Sequence, residues 1–261
     1  SLTANLGVLF FFKYGKFFLE NIDNLLAIVN LNHSLSIPDF ILPEPLEVLI
    51  ALFQLAVNLE SFQHIAISMF RVTVALIFAA IVSITLAILS RTNYVFTIII
   101  ESNILIVLNS FPSIGWAILG VIWFSISDIT VIFVEIMIII PFCLINCIQG
   151  FRQVDKEIKE MGISFSRNRI LTFFKIDLPL ALPFIIAGIR ISYGIAWKIA
   201  IVAELFGASS GLGWLLQQAQ NNADSEKVLA ICLLIVLLFS AIDFLLLKPI
   251  ANKYSINIKE S

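Results

Sequence analysis

The chain has 261 residues, of which 60% are hydrophobic and 13% charged, with a formal net charge of -2. Soluble domains carry roughly a quarter charged residues, so a mean hydropathy of +1.02 excludes an ordinary soluble protein and makes this an integral membrane protein. Long apolar runs without strand-period alternation exclude a β-barrel and leave an all-α fold, whose helices satisfy their own backbone in lipid. No nucleic-acid signal is present. Cys143, Cys147 and Cys232 lie within apolar runs with no His or further Cys beside them, so they read as packing residues, and no metal or other cofactor is expected.

In chain order, residues 1–37 form an N-terminal segment in which NLGVLFFF is interrupted by Lys13, Lys16, Glu20 and Asp23 before LLAIV resumes. It is expected to be a membrane helix. The chain opens on Ser1, so its start is expected to be processed or internal to a longer chain, and no signal-peptide cleavage pattern is evident. Pro43 and Pro45 then block helix continuation, while Glu44 and Glu47 favour an interfacial helix starting at Pro45. Residues 72–89 carry no charge and are long enough to cross a bilayer at about 1.5 Å per residue. Arg91, in the polar turn that follows, favours the inside. The uncharged run 102–127 meets Asn109, Pro112 and Gly115 near its middle, so a kinked or broken helix is expected. Residues 129–149 read as another span.

The one long polar run between hydrophobic blocks follows, at 150–178. It holds Arg152, Lys156, Lys159, Arg167, Arg169 and Lys175, a density of basic charge that belongs on the cytoplasmic side. Helical period places Ile158, Met161 and Phe165 on one apolar face. After a turn at 164–168, it places Ile170, Leu171 and Phe174 on a second, so two short docking helices are expected. Residues 178–203 carry Pro179, Pro183, Gly188, Arg190, Gly194 and Lys198, an unusual load of breakers and charge for a span. Charges at membrane depth need partners, and Glu101, Glu135 and Asp243 are the acids placed to neutralise the two cations. Residues 228–242 are the last span, with Lys248, Lys253 and Lys259 holding the C-terminus inside. Lys227 and Arg71 fall to the outside.

Two polar constellations carry a family pattern. Glu160, Met161 and Gly162, three residues, Ser166, nine residues, then Ile176-Asp177-Leu178-Pro179 reproduce the spacing of the EAA signature, E-A-A-x3-G-x9-I-x-L-P. In this respect the chain resembles the permeases of binding-protein-dependent ABC importers. Met161 and Gly162 stand where that family carries alanines, and Ser166 where it carries glycine. Similarity to the nitrate, sulfonate and taurine branch continues through Ser68-x2-Arg71, Pro112 to Trp116, Trp123-Phe124, Gly188-x-Arg190-x6-Trp197 and Glu204-x2-Gly207-x3-Gly211-Leu-Gly213. Ile118 replaces a proline of that pattern, and Ser125 a glycine.

This resemblance, over about residues 38–250, implies a type I ABC importer permease fold with five core transmembrane helices plus the N-terminal one. The permease domain would be 38–250, with a cytoplasmic coupling loop at 150–178 and a cytoplasmic tail at 251–261. It implies a non-enzymatic subunit in a bacterial-type inner membrane, moving a small anionic solute delivered by an extracytoplasmic binding protein. The implied partners are ATP-binding cassette subunits, a second permease chain and membrane lipid. Glu160, Met161, Gly162, Phe165, Ser166, Ile176, Leu178 and Pro179 would couple to the ATPase. Asn109, Pro112, Trp116, Arg190, Trp197, Lys198 and Glu204 would line the translocation path, Lys198 being placed there by its charge within a span and not by the family pattern. His33 and His64 sit in no hydrolytic constellation, and no Walker lysine loop is present, so nucleotide hydrolysis falls to another chain. The N-terminal stretch also resembles part of the membrane-bound O-acyltransferases. An acyltransferase fragment, or an inactive permease-like protein, is therefore the alternative.

Overall fold

The computed structural model describes residues 43–154, 156–165 and 168–255, and every regular element among them is a helix. The segment 1–37, Ser166, Arg167 and residues 256–261 lie outside the described residues. Helix α1 (Pro45–Val57) begins where expected: Pro45 occupies its first turn and the Glu44 N–H donates to the Glu47 carboxylate at 3.1 Å. Asn58 turns extended and closes α1, and its side chain accepts from the Glu60 N–H at 3.0 Å as α2 (Leu59–Ser90) starts. Helix α2 is thus longer than the charge-free run 72–89. Glu60, His64 and Arg71 ride on its first turns.

The run 102–127 is broken as its residues predict. Helices α3 (Tyr94–Ser110) and α4 (Ser113–Phe124) meet at 86°, with Phe111 and Pro112 extended between them. Helix α5 (Asp128–Arg152) is capped by the Ser127 hydroxyl, which accepts from the Thr130 N–H. A separate ten-residue helix, α6 (Lys156–Phe165), follows. Helix α7 (Phe173–Gly207), α8 (Leu212–Asn221) and α9 (Ser225–Lys253) complete the described chain. Four of these helices are long and apolar enough to cross a membrane, or five if the bent α3–α4 pair counts as one span.

One sequence expectation needs correction. The second short docking helix is not separate, because the turn Arg169–Thr172 runs into α7 without a break. Helix α7 is the span expected over 178–203 and runs through Pro179 unbroken. The reason is a π-helical turn, Phe173–Asp177, in which the Leu178 N–H reaches back to the Phe173 carbonyl. The widened turn accommodates the ring of Pro179, which in a regular helix collides with the preceding turn. Helix α9 repeats the device, with a π turn at Asp243–Leu247 just before Pro249, and so extends beyond the expected 228–242.

The chain forms two compact units. The first comprises residues 43–62 and 215–234, with Val48, Leu55, Leu215, Ala219, Ala230 and Ile231 buried. The second comprises 63–214 and 235–255 and holds the larger core. There Arg71 meets Asp128 and the Ser83 hydroxyl donates to the Ile140 carbonyl at 3.1 Å, so α2 and α5 run parallel. Helix α7 runs back along α5. A Cβ at Gly188 would stand 2.7 Å from that of Asn146, and one at Gly150 2.6 Å from that of Phe184, so the two backbones approach closely. Cys143, Leu144, Cys147 and Ile148 of α5, with Ala87, Ile100, Ala181 and Ile185, form the main apolar cluster.

Candidate functional site

Polar groups concentrate where α2, α5 and α7 approach the α7–α8 connection. Ser68 and Arg71 lie one turn apart on α2, and Glu204 lies in the last turn of α7. Arg71 and Glu204 are each 1% exposed. The Arg71 guanidinium donates through Nη1 to Glu204 at 2.8 Å and to the Ser210 carbonyl at 2.7 Å. Through Nη2 it reaches the Ser210 hydroxyl at 2.8 Å and Asp128, and through Nε Asp128 again at 3.0 Å. The Ser68 hydroxyl sits 2.7 and 2.9 Å from the two Glu204 oxygens and accepts from the Leu212 N–H at 2.8 Å. The Gly213 N–H donates to Glu204 at 2.8 Å, and the Gly211 N–H to His64 Nδ1 at 3.0 Å.

This geometry explains the glycines of the Glu204-x2-Gly207-x3-Gly211-Leu-Gly213 run. Gly211 has φ +108, and a side chain there would fall on the Glu204 carboxylate. A Cβ at Gly213 would stand 2.6 Å from the Ile201 carbonyl oxygen. The backbone folds over the carboxylate because nothing stands between them. Ser125, where the family pattern carries glycine, has φ 58 and ψ -166, a region that glycine occupies without strain and serine does not.

Of the expected path residues, Glu204 lies in this buried cluster, while Asn109 and Pro112 are exposed at the α3–α4 bend. Trp116 packs against Phe111 with ring centroids 4.5 Å apart and edge-on to Phe133 of α5. Trp197 is buried with its ring edge toward Tyr193, 6.4 Å away. Arg190 is held by Asp243, Nε and Nη2 each donating at 2.8 Å to a separate oxygen. Of the other two acids considered for that role, Glu101 pairs with Arg152, and Glu135 is fully buried with neither oxygen hydrogen-bonded among the described residues. Lys198 is exposed and makes no ion pair among the described residues.

At the opposite end of the spans lies the expected coupling segment. Glu160 and Met161 are exposed on α6, Gly162 and Phe165 belong to the same helix, and Ser166 lies outside the described residues. Ile176 and Leu178 are half-buried at the foot of α7, and Pro179 is exposed. Between them Asp177 is buried and accepts from Arg91 Nη2 at 3.2 Å, while the Arg91 guanidinium lies 5.0 Å over the Phe151 ring. This tie joins the signature to the α2–α3 turn. A cleft of about 290 Å³, lined by Arg91, Asn93, Tyr94, Glu101 and Arg152 among others, opens beside it. Sequence reasoning found neither Arg91–Asp177 nor Arg71–Glu204 as pairs. The available signal was Arg71 itself, a cation beside an apolar run that needs an acid.

Residues 100–248 match the family model for the binding-protein-dependent transport system inner membrane component. A protein of Escherichia coli strain K12 named for aliphatic sulfonates transport, SsuC, is 30% identical over 203 residues, covering 78% of this chain and 77% of its own. The taurine transport system permease protein TauC of the same strain is 28% identical over 194 residues, 72% of this chain and 70% of its own. The nitrate import permease protein NrtB of Leptolyngbya laminosa is 29% identical over 171 residues, 65% and 61% of the two chains. With its four long apolar spans, its bent α3–α4 pair and a match over more than half its length, the chain belongs to the family of binding-protein-dependent transport system inner membrane components, the permease subunits of ABC importers.

Proposed function

We propose that this multi-pass membrane protein acts with a second permease chain, ATP-binding cassette subunits and an extracytoplasmic binding protein to import a small solute. The observation that carries the reading is α6, a short helix isolated between two spans with Glu160 and Met161 exposed. Such a helix can seat in a groove of an ATPase subunit and pass on its rigid-body motion. In this reading the Arg152 end faces the cytoplasm of a bacterial-type cell, with the C-terminus on that side, and the Glu204 end faces out. The chain supplies no nucleotide-hydrolysing site of its own. Residues 38–250 act as the permease domain, 150–178 as its coupling loop and 251–261 as a cytoplasmic tail, with Asn109, Pro112, Trp116, Arg190, Trp197, Lys198 and Glu204 in or against the solute path. Relatives named for sulfonate, taurine and nitrate make those the solutes to try first.

The test is to purify the tagged chain from cells that co-express the neighbouring ATPase and binding protein, then measure ATP-dependent uptake in vesicles. Retention of the ATPase subunit and uptake of an aliphatic sulfonate, taurine or nitrate are expected. Acyl transfer from an acyl donor with no ATPase retained would instead support the acyltransferase alternative.

A further inference from the structure

Lys198 is a cation within a membrane span whose candidate partners are all engaged elsewhere or out of reach. Asp243 is chelated by Arg190, Glu101 holds Arg152, and both Glu204 and Asp128 hold Arg71. Glu135 is fully buried, whereas Lys198 is exposed. The ammonium lies roughly 13 Å along the axis from Gly207, the last residue of α7, at about 1.5 Å per residue.

The face that Lys198 occupies is defined by its neighbours. Leu180, Ala187 and Ile191 are exposed with it, and at about 100° per residue all four fall within roughly 20° of one line along α7. The opposite face, with Ile185, Ala196, Ala200, Ala203 and Gly207, is buried. Described residues of this chain therefore leave one meridian of α7 uncovered, and it carries a full positive charge in its outer half. Hydrocarbon is a poor environment for such a charge, and a water-filled path is a good one.

We propose that Lys198 is a charge filter of the permease itself: it faces the solute path and favours anions over cations of similar size, in addition to whatever selection the binding protein makes. This rests on the reading of α7 as a path-lining helix. Low-dielectric walls concentrate the field of a single charge in a narrow aqueous passage, so one lysine suffices to bias what enters. Arg190 cannot serve this way, because both oxygens of Asp243 already answer it.

The experiment uses the assembled importer in vesicles, with Cys232→Ala removing the exposed native thiol and Ile191→Cys placing a reporter two turns from Lys198 on the same line. Modification rates are compared for the anionic sulfonatoethyl and the cationic trimethylammonium-ethyl methanethiosulfonates. The anionic reagent is expected to be favoured relative to the same pair on free cysteine, on the order of tenfold for a charge about 10 Å away. Lys198→Gln should abolish the preference and Lys198→Arg keep it. An unchanged preference in Lys198→Gln overturns the filter while leaving the path intact. A reporter that reacts with neither reagent overturns the path reading itself. If Lys198→Gln cannot assemble whereas Lys198→Arg can, the lysine pairs with an acid of another subunit, and the filter is wrong.

Discussion

The two ends of the spans are tied by the same chemistry to different standards. At the Glu204 end, Arg71 makes five hydrogen bonds and the carboxylate accepts from Ser68, Arg71 and Gly213, all under a glycine-bearing loop. At the Arg152 end, Arg91 leaves Nη1 and Asp177 leaves Oδ1 without a partner among the described residues, and Arg152 is 63% exposed. An open cleft lies between Arg91 and Arg152. The Arg71–Glu204 pair has its hydrogen bonds met and the Arg91–Asp177 pair does not, although Glu135, buried near the first pair, leaves both oxygens without a partner among the described residues. A buried ion pair holds best where its remaining hydrogen-bonding capacity is met, so the Arg71–Glu204 pair should be the costlier of the two to break.

The comparison breaks most easily at Arg71. Arg71→Ala leaves the buried Glu204 carboxylate without a counter-charge, which costs about 3–5 kcal/mol, and the melting temperature of the purified complex should fall sharply; Glu204→Ala should cost less, because Asp128 still holds Arg71. A melt equal to the parent's would show that the cluster fastens nothing. Gly211→Ala comes next, because the new methyl meets the Glu204 carboxylate at a φ of +108. Backbone strain alone there is about 1–3 kcal/mol, and calorimetry should place this variant between the parent and Arg71→Ala. Asp177→Ala, the matching change at the Arg152 end, should cost less than Arg71→Ala, because Arg91 is 24% exposed and its Nη1 already lacks a partner among the described residues. Equal losses at the two ends would remove the distinction. Ser125→Gly is the smallest change and the one in the opposite direction. It relieves a strained φ of 58 at the cost of chain entropy, for a net gain of about 1 kcal/mol.

Much of the fold was legible because lipid leaves the backbone little choice. Uncharged runs of span length became helices, and the break predicted from Asn109, Pro112 and Gly115 appears between Ser110 and Ser113. Asp243 was legible as a partner for Arg190, since a charge in a span must find an opposite one. The second docking helix was misread, because Ile170, Leu171 and Phe174 have helical period but nothing local to them shows that the π turn Phe173–Asp177 carries Arg169–Thr172 straight into α7. The tie between Arg71 and Glu204 was hidden for another reason. The two residues are 133 positions apart, and nothing local to either reveals that parallel packing of α2 on α5 and the return of α7 bring them together.

The proposed function requires α6 to meet the ATPase. The direct measurement is cross-linking in the co-purified complex, from Met161→Cys on the exposed surface of α6 and from Ser209→Cys, exposed near the Glu204 cluster. A covalent adduct with the ATPase subunit is expected from Met161→Cys and none from Ser209→Cys. An adduct from Ser209→Cys alone, or from neither position in a complex that retains the ATPase, would contradict the proposed function.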